Sequence, residues 1–484
     1  MELTDIKLFS PEIALIIGSI FILLYGIFFK DNADSNKNIL YITLTSLLIS
    51  FYCSIYLVDP NTTLFNDLLD NDPFTLFFKV IVFSGTLVIT YISYNYLRDL
   101  NIITPEFFFL ILLSLVGVLI LISSRNIISM YLGLELQSIC LYILAAYTKY
   151  EIKSSESGIK YFVMGALSSG ILLYGLSIIF GFTNSTDFYD ISKSIKHSID
   201  NNENFLILNL GFVLILCGLF FKIAVVPFHM WAPDVYEGSA TPITAYFTTI
   251  PKVGAIAFLI KFLNIPFEYF YNAWFQILYL VAIISLILGS IAAVNQNNIK
   301  RLLAHSSISH MGFILIGILT ANELGVKSAQ LYISIYMVNI LGIFTCLLCL
   351  KNKVNGIYLE NIRSYSGLLK KDSFLSFSFA IFLFSLAGLP PLSGFFGKLY
   401  ILISAIESDL YLLAIIAVLT SIISAFYYLK IIKVMFFDKP VNEIYVNISV
   451  ISKLIVFIAL IISIFLIVFL SDFLEIINES LLIN

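Results

Sequence analysis

The sequence predicts an all-α polytopic membrane protein with about fourteen transmembrane helices, and three observations support this fold class. Hydrophobic residues make up 60% of the chain and charged residues only 12%, whereas soluble domains contain about 25% charged residues. The mean hydropathy is +0.97, so the chain has far more apolar surface than a soluble fold of this length is able to bury. The apolar residues also fall in runs of about 20, the length that crosses the hydrocarbon core as a helix.

The predicted spans follow one another along almost the whole chain. The segment before the first span is polar and the first apolar run is a full span, so we expect no cleavable signal peptide. The loops are short, and none is large enough for a soluble domain. In order, the predicted spans are 12–29, 38–58, 74–96, 106–123, 127–148, 157–181, 205–231, 241–263, 271–294, 299–320, 326–350, 374–405, 409–435 and 451–470.

Two of these spans are too long for one straight crossing, and both contain proline near the middle. The span 205–231 contains Pro227, and the span 374–405 contains Pro390 and Pro391. Proline lacks a backbone donor and clashes with the preceding turn, so each span is predicted to be a broken helix. Paired broken helices in the two halves of a membrane protein point to an inverted-repeat transporter with its ion site at the breaks.

Lysine and arginine are distributed unevenly between the two sets of loops. If the amino terminus faces outward, most of them lie in inner loops, and the outer side holds only Lys7, Arg125, Lys193, Lys196, Lys261 and Lys327. Loops rich in these residues stay on the cytoplasmic side. The bias and the even number of spans together predict that both termini lie outside, in the periplasm or the intermembrane space.

Four charged residues inside the spans are the main candidates for a proton-transfer site. A lysine at the centre of a bilayer costs roughly 2.5–3.5 kcal/mol on insertion scales, and such residues usually line ion or proton pathways. Lysine suits proton transfer because its protonation responds to burial and to a nearby carboxylate. Glu135 lies deep in its span, and three lysines lie beside a proline or in a broken segment: Lys222, Lys252 and Lys398.

Two further lysines lie nearer the ends of their spans. Lys160 is one turn inside its span, on the side of Gly165 and Ser168, and either lines a polar path or has only a structural role. Lys79 lies within two turns of Pro73, and we expect its long side chain to reach the surface.

Three histidines also lie within the spans. His305 and His310 are five residues apart, which places them about 140° apart around a helix, so they cannot jointly hold one metal ion from one face. One of them is a candidate proton relay, and a hydrogen-bonded structural role is the alternative. His229 follows the first break and is expected to bond to freed backbone carbonyls or water, with a relay role as the second possibility.

The sequence contains no motif for a bound cofactor, and we expect this chain to bind none. No glycine-rich phosphate loop follows a strand, and neither a cysteine set for an iron–sulfur cluster nor a haem histidine pair stands out. Cys346 and Cys349 have the spacing of a redox pair, but without a second pair they are interpreted as small buried residues. The absence of a basic patch argues against a nucleic-acid partner.

Four long motifs resemble the antiporter-like membrane subunits of respiratory complex I. They begin at Lys222 (KIAVVPFHMWAPDVYEGSATP), Tyr131 (YLGLELQS), Lys300 (KRLLAHSSISHMG) and Gly388 (GLPPLSGFFGK). Within this family the chain is most similar to the subunit 2 type of mitochondrial NADH:ubiquinone oxidoreductase, whose bacterial counterpart is subunit N. It ends soon after the last predicted span, without the long lateral helix of the distal subunit 5/L type. The resemblance covers nearly the whole chain.

The resemblance implies two inverted five-helix repeats, each with one broken helix. The expected organisation is N-terminal helices at 1–105, a first repeat at 106–263, a second repeat at 271–435 and a C-terminal helix at 436–484. It also implies a role for each buried charge. Glu135 and Lys222 form a coupled pair, Lys252 is the central relay, and Lys398 is the entry or exit group of the second half-channel.

The function implied by the resemblance is proton translocation in the membrane arm of NADH:ubiquinone oxidoreductase, with the redox chemistry in other subunits. The partners would be neighbouring antiporter-like subunits and membrane lipids. The Leu-Ala-His-Ser-Ser form of one motif favours the mitochondrial inner membrane, and a bacterial plasma membrane is the alternative. Two other functions stay open, an independent cation/proton antiporter subunit and a structural membrane subunit whose charges only hold its neighbours in place.

Overall fold

The structure is a computed structural model that describes residues 3–29, 34–58, 61–201, 205–353, 356–441 and 443–481. Nearly all of this part of the chain is helical, and the predicted all-α membrane fold is confirmed. Twelve helices in the described ranges are long and apolar enough to cross a membrane, or thirteen if the last, bent pair is counted as one span. The count of fourteen and the inverted repeats stay predictions.

The helices follow one another in the chain with only short connections. The first ten are α1 (Leu3–Leu8), α2 (Ser10–Phe28), α3 (Ser35–Tyr56), α4 (Pro73–Asp99), α5 (Pro105–Ser123), α6 (Ile127–Ala145), α7 (Ile152–Thr183), α8 (Phe188–Asp200), α9 (Phe205–Ile223) and α10 (Trp231–Gly238). The remaining ones are α11 (Thr241–Thr248), α12 (Ile250–Asn264), α13 (Tyr271–Val294), α14 (Ile299–Leu319), α15 (Glu323–Leu347), α16 (Ser373–Ala387), α17 (Ser393–Glu407), α18 (Tyr411–Phe437), α19 (Val450–Phe465) and α20 (Leu470–Glu479).

Four short strands form two antiparallel pairs in the connections. Strands β1 (Thr62–Leu64) and β2 (Leu69–Asn71) form a hairpin in which Thr63 pairs with Asp70. Strand β3 (Leu350–Asn352) pairs with the distant β4 (Ile444–Val446). Each pair ties together segments that connect membrane helices, and the first pair also places charged residues near the ends of several helices.

The chain divides into two compact units. Unit 1 consists of Met1–Ile223, Ile250–Trp274 and Glu479–Asn484, and unit 2 consists of Ala224–Thr249 and Phe275–Asn478. The chain therefore passes from unit 1 to unit 2 directly after α9, and it returns for α12. The domain boundaries expected from the resemblance stay a prediction.

Both proline-containing spans are interrupted. Helix α9 ends at Ile223 and is followed by Ala224 with a positive φ of 59° and by the Val226–Pro227 peptide bond, which is cis. Helix α16 ends at Ala387, and its C-cap, Gly388, has a left-handed backbone with φ of 86°. The span 374–405 is thus two 15-residue helices, α16 and α17.

The structure corrects the expectation for Lys79. Its side chain is buried and does not reach the surface, because Nζ lies 2.9 Å from Oε1 of Glu12 on α2. The same ammonium donates to Oδ1 of Asn71 at 3.3 Å. A polar pair inside the N-terminal helices therefore replaces the predicted path to the surface, and burial of both partners makes the pair dependent on each member.

Two other segments show structure that the sequence did not predict. The polar stretch after α7 contains α8, an amphipathic helix that buries Phe188, Ile191 and Ile195 and exposes its charged side. At the other end of the chain, α19 and α20 meet at an angle of 94°. Amphipathic helices of this kind commonly lie along a membrane surface instead of crossing it.

Candidate functional site

Helices α6 and α9 bring Lys222 close to the turn of helix that carries Glu135. Lys222 is buried, and its Nζ donates a hydrogen bond of 2.6 Å to Oγ of Ser138, one turn after Glu135. The hydroxyl of Ser138 in turn donates to the carbonyl of Leu134. The half-buried Glu135 acts on Lys222 electrostatically, without a direct ion pair. A small movement of either side chain is therefore enough to change the strength of their coupling.

Tyr142 completes the surroundings of the Lys222 ammonium. The ring centroid lies 5.9 Å from Nζ, which is within the range of a cation–π interaction. The tyrosine fits because α7 has a glycine opposite it: a Cβ on Gly165 would lie 2.1 Å from the Tyr142 hydroxyl. Tyr142 therefore packs against α7 at Gly165, on the side of α7 where the sequence suggested a polar path.

Lys160, on α7, forms an ion pair within its own helix. Its Nζ is 2.7 Å from Oε1 of Glu156 in a pair one turn apart on α7, and about a third of its side chain is exposed. Exposed pairs of this kind contribute little to stability. A role in proton transfer for Lys160 stays a prediction.

Lys252 lies in unit 1, in the first turn of α12. The backbone is interrupted just before it, since α11 ends at Thr248 and α12 begins at Ile250. Its side chain is 1% exposed. Helix α12 approaches α5 closely at the next glycine, where a Cβ on Gly254 would lie 2.6 Å from Val118. The lysine is thus buried beside a tightly packed helix contact, and a buried charge needs polar partners or water.

Lys398 lies in unit 2, beside the second break. Its Nζ donates a hydrogen bond of 3.0 Å to the carbonyl oxygen of Ala387, the last residue of α16. The ammonium also lies 5.0 Å from the ring centroid of Phe313. The interruption is shaped to admit this side chain, because a Cβ on Gly388 would lie 2.9 Å from Cδ of Lys398.

Lys222 and Lys398 each lie close to a helix break, but on opposite sides of it. In the sequence, one lysine precedes its proline and the other follows its pair of prolines. In space, Lys222 lies in the last turn of α9, and Lys398 reaches back to the last carbonyl of α16. The Lys398 ammonium thus lies at the C-terminal end of a half-helix, where the helix dipole and unpaired carbonyls favour positive charge, whereas the Lys222 ammonium is bonded to Ser138 on α6.

The three candidate histidines in unit 2 have two different environments. His310 is buried, with each ring nitrogen within hydrogen-bond distance of a tyrosine hydroxyl, from Tyr332 at 2.7 Å and Tyr428 at 3.0 Å. His305 is half-buried near His229, and Arg301 and Asp234 also act on it electrostatically. The relay roles of all three histidines stay predictions.

Unit 1 contains a further group of interacting charged residues that the sequence did not predict. Lys261 is predicted at the outer end of the span 241–263, but it is fully buried in α12 and lies 3.1 Å from Oδ2 of Asp70 and 3.7 Å from Asp72. Arg125, assigned to a loop, contacts Asp70 at 3.6 Å and Asp187 at 2.9 Å. Burial raises the pKa of the Asp70 carboxyl in the β1–β2 hairpin, and Lys261 partly opposes this effect.

Comparison with known proteins places this arrangement in one family. The family model described as NADH:quinone oxidoreductase/Mrp antiporter, transmembrane, matches residues 124–424. NADH-quinone oxidoreductase subunit N of Pelagibacter ubique is 46% identical over 436 residues, which cover 90% of each chain. The predicted resemblance is confirmed by both results.

Solved structures show the same fold. A chain of respiratory complex I from Thermus thermophilus with bound aureothin is 26% identical, with a TM-score of 0.78 over 96% of this chain and 98% of that one. A chain of the Mrp complex from Dietzia sp. is 18% identical with a TM-score of 0.84, covering 99% of this chain and 97% of that one, which is a likeness of fold alone. The family match, the bacterial relative and the buried lysines agree: this chain belongs to the NADH:quinone oxidoreductase/Mrp antiporter family of membrane proteins.

Proposed function

We propose that this chain is a proton-translocating membrane-arm subunit of an NADH:quinone oxidoreductase of the complex I type. The observation that carries the proposal is the buried Lys222, which ends a half-helix and is hydrogen-bonded one turn from Glu135. Such a lysine is able to gain or lose a proton when the carboxylate moves. The relatives named as subunit N support the assignment to this enzyme. We expect the redox cofactors to lie in other subunits.

Each buried charge has a proposed role in this function. Glu135 controls the charge state of Lys222, and Lys252 accepts the proton in the interior of unit 1. Lys398 holds a proton at the break in unit 2 and exchanges it with one surface of the membrane. His229, His305, His310 and Lys160 are additional candidates for transfer steps.

The surroundings of the chain follow from the same assignment. Other membrane-arm subunits and membrane lipids are the proposed partners, which agrees with the large apolar side chains exposed on α2, α7 and α18. The bacterial origin of the relatives favours a bacterial plasma membrane, and a mitochondrial inner membrane stays a prediction. The terminal residues lie outside the described part of the chain, and their outward location rests on the loop charges and the even number of predicted spans.

The test replaces the two coupled residues with neutral side chains of similar size in the complete oxidoreductase. We expect Lys222→Met and Glu135→Gln each to lower the number of protons translocated per NADH oxidised in proteoliposomes. The matched control is Lys193→Met, since Lys193 is exposed on α8 and pairs only with Asp190. Normal pumping by both assembled variants would contradict the proposal.

The rival function is an independent cation/proton antiporter, which the family description also includes. Purification of the native assembly distinguishes the two. Copurification with flavin- and iron–sulfur-containing subunits supports the oxidoreductase, and a cofactor-free complex with cation/proton exchange activity supports the antiporter.

A further inference from the structure

His310 stands between two tyrosine hydroxyls in the interior of unit 2. Its Nδ1 is 2.7 Å from the hydroxyl of Tyr332 on α15, and its Nε2 is 3.0 Å from the hydroxyl of Tyr428 on α18. All three side chains are at least 97% buried. Three helices, α14, α15 and α18, therefore contribute one polar group each to a continuous phenol–imidazole–phenol chain.

The hydrogen bonds of this phenol–imidazole–phenol chain all run in one direction at a time. A neutral imidazole carries a proton on one nitrogen and accepts a hydrogen bond on the other. One tyrosine hydroxyl therefore donates to the ring while the other accepts from it, and the two tautomers of His310 correspond to the two directions. A buried imidazole has two ring nitrogens to satisfy, and here each lies within hydrogen-bond distance of a hydroxyl that is itself able to donate and to accept.

The Tyr332 end of the chain lies beside Lys398. The Tyr332 ring packs directly on the backbone of α17, where a Cβ on Gly397 would lie 2.6 Å from its Cδ2. Gly397 immediately precedes Lys398. Phe313 also links the two, since its ring is 5.0 Å from the Lys398 ammonium and 6.0 Å from the Tyr332 ring. Gly397 and Phe313 thus place the Tyr332 ring near Lys398.

Tyr428 lies in the C-terminal half of α18. Tyr428 lies nine residues before Phe437, a distance of about 13 Å along a helix. Lys430 follows within a turn and donates to the carbonyl of Val294, the last residue of α13, at 3.4 Å. This end of α18 leads to the lysine-rich connections that the charge bias assigns to the inner surface.

We propose that Tyr428, His310 and Tyr332 form a proton wire between Lys398 and the inner side of unit 2, and that the two tyrosines are transfer residues in their own right. This proposal rests on the proposed function of Lys398. A proton arriving at the Tyr428 oxygen displaces the hydroxyl proton to Nε2. The proton on Nδ1 moves to the Tyr332 oxygen, whose own proton passes on toward Lys398. Each phenol oxygen gains one proton and loses one, while Nε2 gains one and Nδ1 loses one, so no charge stays on the phenols or the ring and His310 ends in the other tautomer.

The test compares conservative variants in the complete oxidoreductase, with protons translocated per NADH as the readout. Tyr332→Phe and Tyr428→Phe remove one hydroxyl each and keep the ring. His310→Gln keeps a donor and an acceptor for the two hydroxyls, but an amide cannot relay a proton as imidazole does. The control is Tyr365→Phe, because Tyr365 is a fully buried tyrosine of the same unit whose hydroxyl donates to the carbonyl of Leu359 at 2.6 Å.

We expect the three wire variants to assemble normally and to lose the same share of pumping as Lys398→Met, while Tyr365→Phe pumps normally. Pumping retained by His310→Gln, or by both tyrosine variants, would show that the cluster only holds three helices together. If Lys398→Met alone lowers pumping, the wire is wrong and the proposed function stands. If Lys398→Met has no effect, the proposed role of Lys398 fails first, and the wire loses its end point.

Discussion

At the scale of single residues, the buried lysines differ in the groups that accept their hydrogen bonds. Lys222 donates to a serine hydroxyl and Lys398 to a backbone carbonyl. Neither partner carries a full charge, so neither fixes the lysine in its charged form as a direct carboxylate pair would. Lys79, by contrast, contacts Glu12 at 2.9 Å. This difference separates the lysines proposed to transfer protons from one with a structural role.

Gly388 provides a test of the Lys398 geometry. Its φ of 86° disfavours any other residue by about 1–2 kcal/mol, and a Cβ there would press on Cδ of Lys398 at 2.9 Å. We expect Gly388→Ala to move the ammonium away from the Ala387 carbonyl and to lower proton translocation. The measurement is protons per NADH in the assembled enzyme.

A second glycine gives the matched control for this substitution. Gly356 has a similar φ of 68°, but a Cβ on it would meet nothing within 4 Å. Gly356→Ala therefore has the same backbone strain without the contact to a lysine, and we expect normal pumping. Equal losses in the two variants would mean that strain, not the position of Lys398, limits transfer.

At the scale of elements, the β1–β2 hairpin acts as an anchor for helices of unit 1. Asp70 contacts Lys261 of α12 and Arg125 before α6, and Asn71 contacts Lys79 of α4. Asp72, just after the hairpin, also accepts a hydrogen bond of 2.6 Å from the Thr75 amide and so caps α4. A short connection thus determines where several membrane helices begin or end.

The raised pKa of Asp70 makes the stability of this anchor depend on pH. The folded state holds the Asp70 proton more tightly than the unfolded state, whose ordinary pKa is 3.8. The contribution of this group to stability is therefore largest at low pH and is lost as pH rises through the raised pKa. We expect hydrogen exchange of the hairpin amides, corrected for its intrinsic pH dependence, to show this loss in the native protein and not in Asp70→Asn.

Removal of Lys261 should destabilise the hairpin more than removal of the Asp70 charge. Lys261→Met leaves Asp70 and Asp72 near each other without the fully buried cation, and breaking a buried ion pair from one side costs about 3–5 kcal/mol. The expected result is faster exchange in the hairpin and the adjacent end of α12. Exchange equal to that of Asp70→Asn would contradict this account.

At the scale of the whole molecule, the membrane class and the key acids and bases were predictable because hydropathy and rare buried charges are properties of the sequence alone. The same signal singled out Glu135 within α6 and the three lysines near helix interruptions, Lys222, Lys252 and Lys398. Ser138, Tyr142, Tyr332 and Tyr428 were not predictable, since hydroxyl residues are common in this chain and only tertiary packing selects these four. Lys261 was missed because a lysine near the end of a span usually reaches the surface, and here the acidic hairpin covers it.

Because Lys222 and Lys398 lie in different units, a final prediction concerns whether they act on one proton route or on two. If one proton route runs through Lys222 in unit 1 and then Lys398 in unit 2, blocking either lysine stops the same flow. The double variant Lys222→Met/Lys398→Met should then lose no more protons per NADH than the more severe single variant, whereas two independent routes predict that the losses add. The control double variant, Lys193→Met/Lys398→Met, should match Lys398→Met alone. Additive losses would assign each unit its own route across the membrane, because non-additivity is expected only for groups that act in one sequence of transfers.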